Sequence, residues 1–351
     1  MRREPPRDSP VAGLPDAPRR RRTAAAELRL AKLLWTLVAL PLAAPGCRGG
    51  VTPIRTAFNR GVAQQSRGDL DAAIAEYRLA LDEEPEDYRA RFNLAVALEA
   101  RASELERSGE AASLREAAEA AYRAVLDARP ENARAIVNLA AMEYERGARE
   151  TALARLRGLI DERPDLALPR VALAARLLQR SSEAKESDEH GAELVHEARE
   201  LLEAAVDREP ASIEAGMLLG ETHARLARAA APPERDGHLA RARKAYRRVL
   251  KRRPDDLATL VAFGRLEAEL GSPEEAIPWY RRVLLVDPDH RGAHRALADL
   301  LDAEGELESA TRHLWRAREL EGSALAPERR EEYRRRLLDL YRRLAEQEGE
   351  R

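Results

Sequence analysis

Six stretches of this 351-residue chain end alike. They are LALDEEP, ending at Pro85, AVLDARP at Pro130, GLIDERP at Pro164, AAVDREP at Pro210, RVLKRRP at Pro254 and VLLVDP at Pro288. Each is an apolar helical tail running into charge and then a proline, a residue that cannot continue a helix. The intervals between the prolines are 45, 34, 46, 44 and 34 residues. Length alone allows two ordinary domains or one elongated array; a period of this size selects the array, in which a small helical unit recurs along the chain. Alanine, leucine, arginine and glutamate dominate, and aromatics are only 4% of the residues. That mixture favours helix and argues against a sandwich or barrel.

Within each interval the pattern is helix, turn, helix. The turns include RGDL at 67–70, RGAR at 146–149 and LGSP at 270–273. Every second helix pairs an alanine with an aromatic or leucine four residues on: Ala73/Tyr77, Ala118/Tyr122, Ala152/Leu156, Ala198/Leu202, Ala242/Tyr246, Ala276/Tyr280 and Ala310/Leu314. That spacing puts both side chains on one face, where the alanine admits a neighbouring helix closely. First helices carry a recurring Leu-Ala or Leu-Gly, as at Leu94-Ala95, Leu139-Ala140, Leu173-Ala174, Leu219-Gly220 and Leu297-Ala298.

These features resemble the tetratricopeptide repeat (TPR) family. The resemblance covers residues 54–322 as seven units, 54–87, 88–132, 133–166, 167–212, 213–256, 257–290 and 291–322. It implies an all-α fold, an α-solenoid wound as a right-handed superhelix. Such an array needs its last apolar face covered. Residues 323–351 supply a capping helix and tail: from Pro327 onward, Tyr333, Leu337, Leu340, Tyr341 and Leu344 make one apolar stripe. Three units are longer, with EARASELERSGEAASL, QRSSEAKESDEHGAEL and RLARAAAPPERDGHL between their helices. These insertions are expected to project from one edge, either as polar loops or by lengthening both helices.

The chain has four asparagines, and three of them follow an arginine by four residues: Arg55/Asn59, Arg89/Asn93 and Arg134/Asn138. Phe58 and Phe92 stand beside two of them. The resemblance places these residues on first helices, which in the family line a concave groove. An asparagine can both donate to and accept from a peptide backbone, and arginines beside it suit acidic side chains or a terminal carboxylate. Arg55, Phe58, Asn59, Arg89, Phe92, Asn93, Arg134 and Asn138 are therefore the expected peptide-binding residues. The alternative is a bond made within the repeat itself. The asparagines give way to Ala172, Leu218, Ala262 and Ala296 in the later units, where Glu221, Arg265 and Asp299 form a mixed set with no ligand expected.

Residues 1–46 read as a signal sequence. Arginines at 19–22 precede an uncharged run from Leu33 to Gly46. Fourteen residues rise about 21 Å as a helix, short of the ~30 Å hydrocarbon core. Cys47, the single cysteine, stands directly after the run, so no intrachain disulfide forms. The arrangement resembles a bacterial lipoprotein signal, which implies lipidation of Cys47, a tether over 47–53 and a lipid-anchored place in the cell envelope, at the outer membrane facing the periplasm. Plain secretion and an uncleaved anchor with a cytoplasm-facing array are the alternatives.

No Gly-rich phosphate loop, dinucleotide fingerprint or G-x-S-x-G elbow occurs, and HRGAH at 290–294 lacks the glutamate of a zinc-protease motif. Outside its basic leader the chain is mildly acidic, which does not suggest nucleic acid. The expectation is a scaffold or adaptor without catalysis, cofactor, metal or small-molecule substrate, holding an extended, acidic or C-terminal peptide. An accessory subunit that positions an envelope enzyme is the alternative role.

Overall fold

The computed structural model describes residues 53–105, 109–183, 189–322 and 326–349. The expected signal segment, Cys47 and all but the last residue of the tether lie outside them. Among the described residues there are fifteen helices and no strand, arranged as seven pairs and a final helix. The pairs are α1 (Pro53–Ser66) with α2 (Leu70–Glu83), α3 (Tyr88–Glu104) with α4 (Gly109–Ala128), and α5 (Ala133–Glu145) with α6 (Arg149–Glu162). Then come α7 (Leu168–Glu183) with α8 (Glu189–Arg208), α9 (Ile213–Ala229) with α10 (Glu234–Arg252), α11 (Leu257–Leu270) with α12 (Pro273–Val286), and α13 (Arg291–Ala303) with α14 (Leu307–Glu321). The last helix is α15 (Pro327–Gly349). None of the described helices is long and apolar enough to cross a membrane.

Each proline exit is built the same way. The residue before the proline accepts a hydrogen bond from the backbone N–H three residues on, as in Asn132 N to Arg129 O at 3.0 Å and Asp256 N to Arg253 O at 3.2 Å. Proline fits the second position of such a turn because its φ is already set. At every exit but that of Pro164, the residue that closes the turn then caps the next first helix. Asn132 Oδ1 accepts from Ala135 N at 3.1 Å, Ser212 Oγ from Ala215 N at 3.2 Å and Asp256 Oδ2 from Thr259 N at 3.0 Å. The fourth asparagine is thus a cap. Arginines of later second helices tie successive turns together: Arg208 Nε donates to Pro164 O at 2.6 Å, and Arg248 and Arg282 reach Pro210 O and Pro254 O at 2.8 and 2.7 Å.

All seven Ala/aromatic or Ala/Leu pairs of the second helices are buried between neighbouring helices. First helices also touch one another, α1 against α3, α5 against α7, α7 against α9 and α9 against α11, so they share one layer. Where a unit is short its helices run 13–15 residues, as in α5 and α14. In the three long units the insertions extend both helices, to 17 and 20 residues in α3 and α4 and to 17 and 19 in α9 and α10. The added sequence is rich in alanine, glutamate and arginine, strong helix formers, so it lengthens helices rather than making free loops. Tyr333, Leu337 and Leu340 of α15 are buried in the last stretch of core, the position expected of a cap. Trp279 stacks on Phe263 with ring centroids 4.0 Å apart. Trp315 is half exposed, its indole N–H donating to the Tyr341 hydroxyl at 2.9 Å.

Candidate functional site

The first-helix layer places the expected Arg–Asn residues in different settings. Asn59 is exposed on α1, whereas Phe58 is buried; Arg55 lies on α1, and its side chain is outside the described set. Phe92 and Asn93 are both fully buried, and Asn138 is 4% exposed. Asn138 Nδ2 donates to the Tyr122 hydroxyl of the preceding unit at 2.8 Å, and that hydroxyl donates to Glu99 Oε2 at 2.9 Å. Asn93 stands near the Tyr77 hydroxyl and opposes, slightly, the burial that raises that phenol's pKa. The Tyr77 hydroxyl itself donates to Gln65 Oε1 at 2.6 Å, and neither polar atom of Asn93 makes a hydrogen bond of ordinary geometry.

The expectation of an open asparagine ladder is therefore corrected for Phe58, Phe92, Asn93 and Asn138. Tyr77 and Tyr122 of the preceding second helices fill the space beside Asn93 and Asn138, and the same two rings pack on Phe58 and Phe92 within their own units. Arg89 and Arg134 remain half-buried. Arg89 is held by Asp87 at 3.2 Å and lies 5.8 Å from the Phe58 ring, while no ion pair to Arg134 forms among the described residues.

What the layer does present is two clusters of charge. In the first, Glu99 of α3, Tyr144 and Glu145 of α5, and Arg176 and Gln179 of α7 converge. The Tyr144 hydroxyl donates to Arg176 O at 3.2 Å; Arg176 Nη1 donates to Gln179 Oε1 at 2.9 Å and lies 3.7 Å from Glu145. Burial pushes the Glu99 carboxyl up to about 7, against its hydrogen bond from Tyr122.

The second cluster joins α9 to α11. Glu221 Oε2 accepts from Arg265 Nη2 at 2.7 Å, with Arg225 and Arg228 at 3.6 and 3.9 Å from its other oxygen. Arg228 also meets Glu269 at 2.7 Å. Burial alone would raise the Glu221 carboxyl, but the three guanidiniums together hold it below the usual range. Arg265 Nε is buried with no hydrogen-bond partner, although a third of its side chain is open to solvent. Arg225 Nη1 donates to Leu178 O at 2.9 Å and so links this cluster to α7.

No ligand was expected around Glu221 and Arg265, yet the structure gathers three arginines there. The signal was present. Glu221, Arg265 and Asp299 occupy the same register position in consecutive units, so opposite charges at that position meet across the unit boundary. Asp299 itself is paired with Arg336 of α15, and Asp302 with Arg343 at 2.6 Å.

Four of the seven histidines pair rather than scatter. His223 and His238 approach Nδ1 to Nδ1 at 3.1 Å, and His294 and His313 at 2.9 Å. Among the described residues no group of three or more metal-ligating side chains forms.

Paired helices in series, with first helices layered together and an amphipathic helix over the last pair, define a helical-repeat scaffold. Residues 58–114, 234–284 and 261–324 match the tetratricopeptide repeat family. No curated protein is recognisably similar to it in sequence. Among solved structures it is similar to a tetratricopeptide repeat protein from Parabacteroides merdae, at 16% identity over 82% of this chain and 98% of that one, TM-score 0.48. It is also similar to Pseudomonas aeruginosa pilF, at 18% identity over 67% and 92%, TM-score 0.47. A third is YrrB, a TPR protein with an unusual peptide-binding site, at 17% identity over 58% and 93%, TM-score 0.43. The fold is that of a protein–protein interaction scaffold.

Proposed function

We propose that this chain is a non-catalytic adaptor that holds an extended segment of a protein partner along its first-helix layer, with an acidic group of that segment received at the Arg225/Arg228/Arg265 cluster. The observation that carries this reading is the surplus of cation there: three guanidiniums share Glu221 and Glu269, and each keeps part of its side chain open to solvent. A carboxylate of the partner would meet the open guanidinium edges in a partly desolvated place, where a charge-assisted bond is strong. The exposed Asn59 and the half-buried Arg89 and Arg134 extend the same face toward the N-terminal units.

The leader and Cys47 support a place in the bacterial envelope, with the array tethered by a lipid at the outer membrane and facing the periplasm. In that setting the chain would bridge an anchored position and a soluble or membrane-borne partner. Its role is adaptor or assembly factor rather than catalyst.

The test is affinity purification of the full chain from its own membranes beside an Arg228→Ala/Arg265→Ala variant, with circular dichroism to show that both fold alike. A partner that disappears from the variant alone supports the groove reading. Identical partner sets from both overturn it.

A further inference from the structure

One unit departs sharply from the charge of the rest. Residues 213–256 carry eleven Lys/Arg against six Asp/Glu, in a chain whose formal net charge is −2. The excess lies in one run, RARKAYRRVLKRR at 241–253, which holds eight basic residues and no acid. Most of this run is α10, the second helix of its pair, and its apolar side is fully used: Ala242, Tyr246, Val249 and Leu250 are buried in the core.

The basic residues divide by face. Arg243 is engaged with Glu267 and Glu275, Arg248 with the Pro210 carbonyl, and Arg247 lies 5.9 Å from the Phe263 ring. Arg241, Lys244, Lys251 and Arg252 instead share the outward face, at helical spacings of three, seven and one, and all four are exposed. None of them forms an ion pair with a described residue. Four cations held together without counter-charge repel one another, so the surface gains from any anionic layer laid against it.

A second feature adjoins this face. The bond from Arg282 Nη2 to Pro254 O brings the last turn of α12 against the exit of α10. One turn beyond Arg282, Leu285 is 83% exposed and Val286 is also open. A leucine so exposed, beside a row of lysine and arginine, matches a surface that is anionic outside and apolar just beneath.

We propose that the outward face of α10, with Leu285 at its C-terminal end, rests on an anionic lipid bilayer. Headgroup phosphates take the four cations, and Leu285 enters the boundary between headgroup and acyl chain. The long side chains present no fixed pocket, which suits a fluid array of phosphates better than one shaped protein epitope. The first-helix layer is a different set of helices, so this contact leaves the proposed peptide site unoccupied.

The test uses the full chain with vesicles of phosphatidylcholine alone and of phosphatidylcholine with phosphatidylglycerol, read by co-sedimentation. Because the basic leader and its apolar run contribute binding of their own, the measured quantity is the anionic-lipid-dependent part in wild type against an Arg241→Glu/Lys244→Glu/Lys251→Glu/Arg252→Glu variant. A loss of about tenfold or more is expected, since each Lys/Arg near an anionic surface contributes a several-fold factor. Added salt should erase the difference, and Leu285→Ser should weaken binding with the cations intact. Sedimentation velocity and circular dichroism of both proteins accompany the assay. Wild-type vesicle binding by the folded quadruple variant overturns the proposal. So does a self-association that the variant abolishes while vesicle binding is unchanged, since the face would then belong to a second copy of the chain.

Discussion

Asn138 and Tyr122 sit on helices of consecutive units, and the carboxamide of one donates to the hydroxyl of the other at 2.8 Å across a boundary that excludes water. The same register pairs Asn93 with Tyr77, but there the amide makes no hydrogen bond of ordinary geometry. Replacing each asparagine with leucine, which is similar in size, should therefore give opposite results. Asn138→Leu removes a made bond and is expected to destabilise by about 1–2 kcal/mol. Asn93→Leu relieves a buried, unpaired amide and should be neutral or stabilising by about 1 kcal/mol. Asn59→Leu, at an exposed site, should stay within about 0.5 kcal/mol. Urea unfolding of the three variants measures this directly, and equal losses at 93 and 138 would remove the distinction.

The tyrosines also explain two glycines. A methyl group on Gly61 would stand 2.6 Å from the Tyr77 ring, and one on Gly220 closer still to the Tyr246 ring. Both are helical positions, where alanine is ordinarily favoured by up to about 1 kcal/mol. Here the ring must shift within a packed layer, and overpacking costs about 1–3 kcal/mol. Gly61→Ala and Gly220→Ala should lower the melting temperature, while Gly158→Ala, with nothing within 4 Å, should raise or hold it. A stabilised Gly220→Ala protein would show that the helix pair opens easily, against the packing described.

Most of the fold was legible in the sequence, and the reasons are local. The proline exits, the Ala/Tyr spacing of four and the glycine turns each act within a dozen residues, and seven repetitions make the pattern hard to mistake. Gly68 and Gly147 are cases in point, since both adopt positive φ in the short turns where the sequence puts RGDL and RGAR. The asparagines were different. Their recurrence was visible, but its cause lies sixteen residues earlier in the chain, in the tyrosine of the preceding helix. A repeat position that looks open on one helix can be covered by another unit. The Arg225/Arg228/Arg265 cluster was hidden for a related reason: charges of mixed sign on consecutive units look unremarkable until the units stack and bring them within 4 Å. The histidine pairs likewise join α9 to α10 and α13 to α14, with partners fifteen and nineteen residues apart.

Those pairs should make the array sensitive to acid. Burial, and then the neighbouring imidazole, lower the pKa of His223 to about 4 and that of His313 to about 4, from 6.5 in an unfolded chain. A depressed imidazole pKa means that the unfolded chain binds the proton more readily. Stability is then complete above about pH 6.5 and is lost as pH falls toward 4. For His223, almost fully enclosed, the loss is on the order of 2–3 kcal/mol. A His223→Leu/His238→Leu double variant leaves no orphaned partner and should flatten the fall in stability between pH 7 and pH 4.5. An unchanged slope in that variant would place the acid sensitivity elsewhere.

Two carboxyls of the first-helix layer work in the opposite direction. Burial raises Glu99 to about 7; it raises Glu214, with Glu209 adding to it, to about 8. A raised carboxyl pKa means that the folded chain holds the proton more tightly than the unfolded one. This contribution is present below about pH 4.5 and lost as pH rises through 7 and 8. Glu99→Gln keeps an acceptor for the Tyr122 hydroxyl and never ionises, so the variant should match wild type at pH 4.5 and melt higher at pH 9. Carbon-13 NMR of labelled glutamate would report the two titrations themselves. If Glu99 titrates near its ordinary value, its place in the first cluster is solvated. It would then meet a cationic partner group as a carboxylate already charged, and the binding would carry no pH dependence near neutrality.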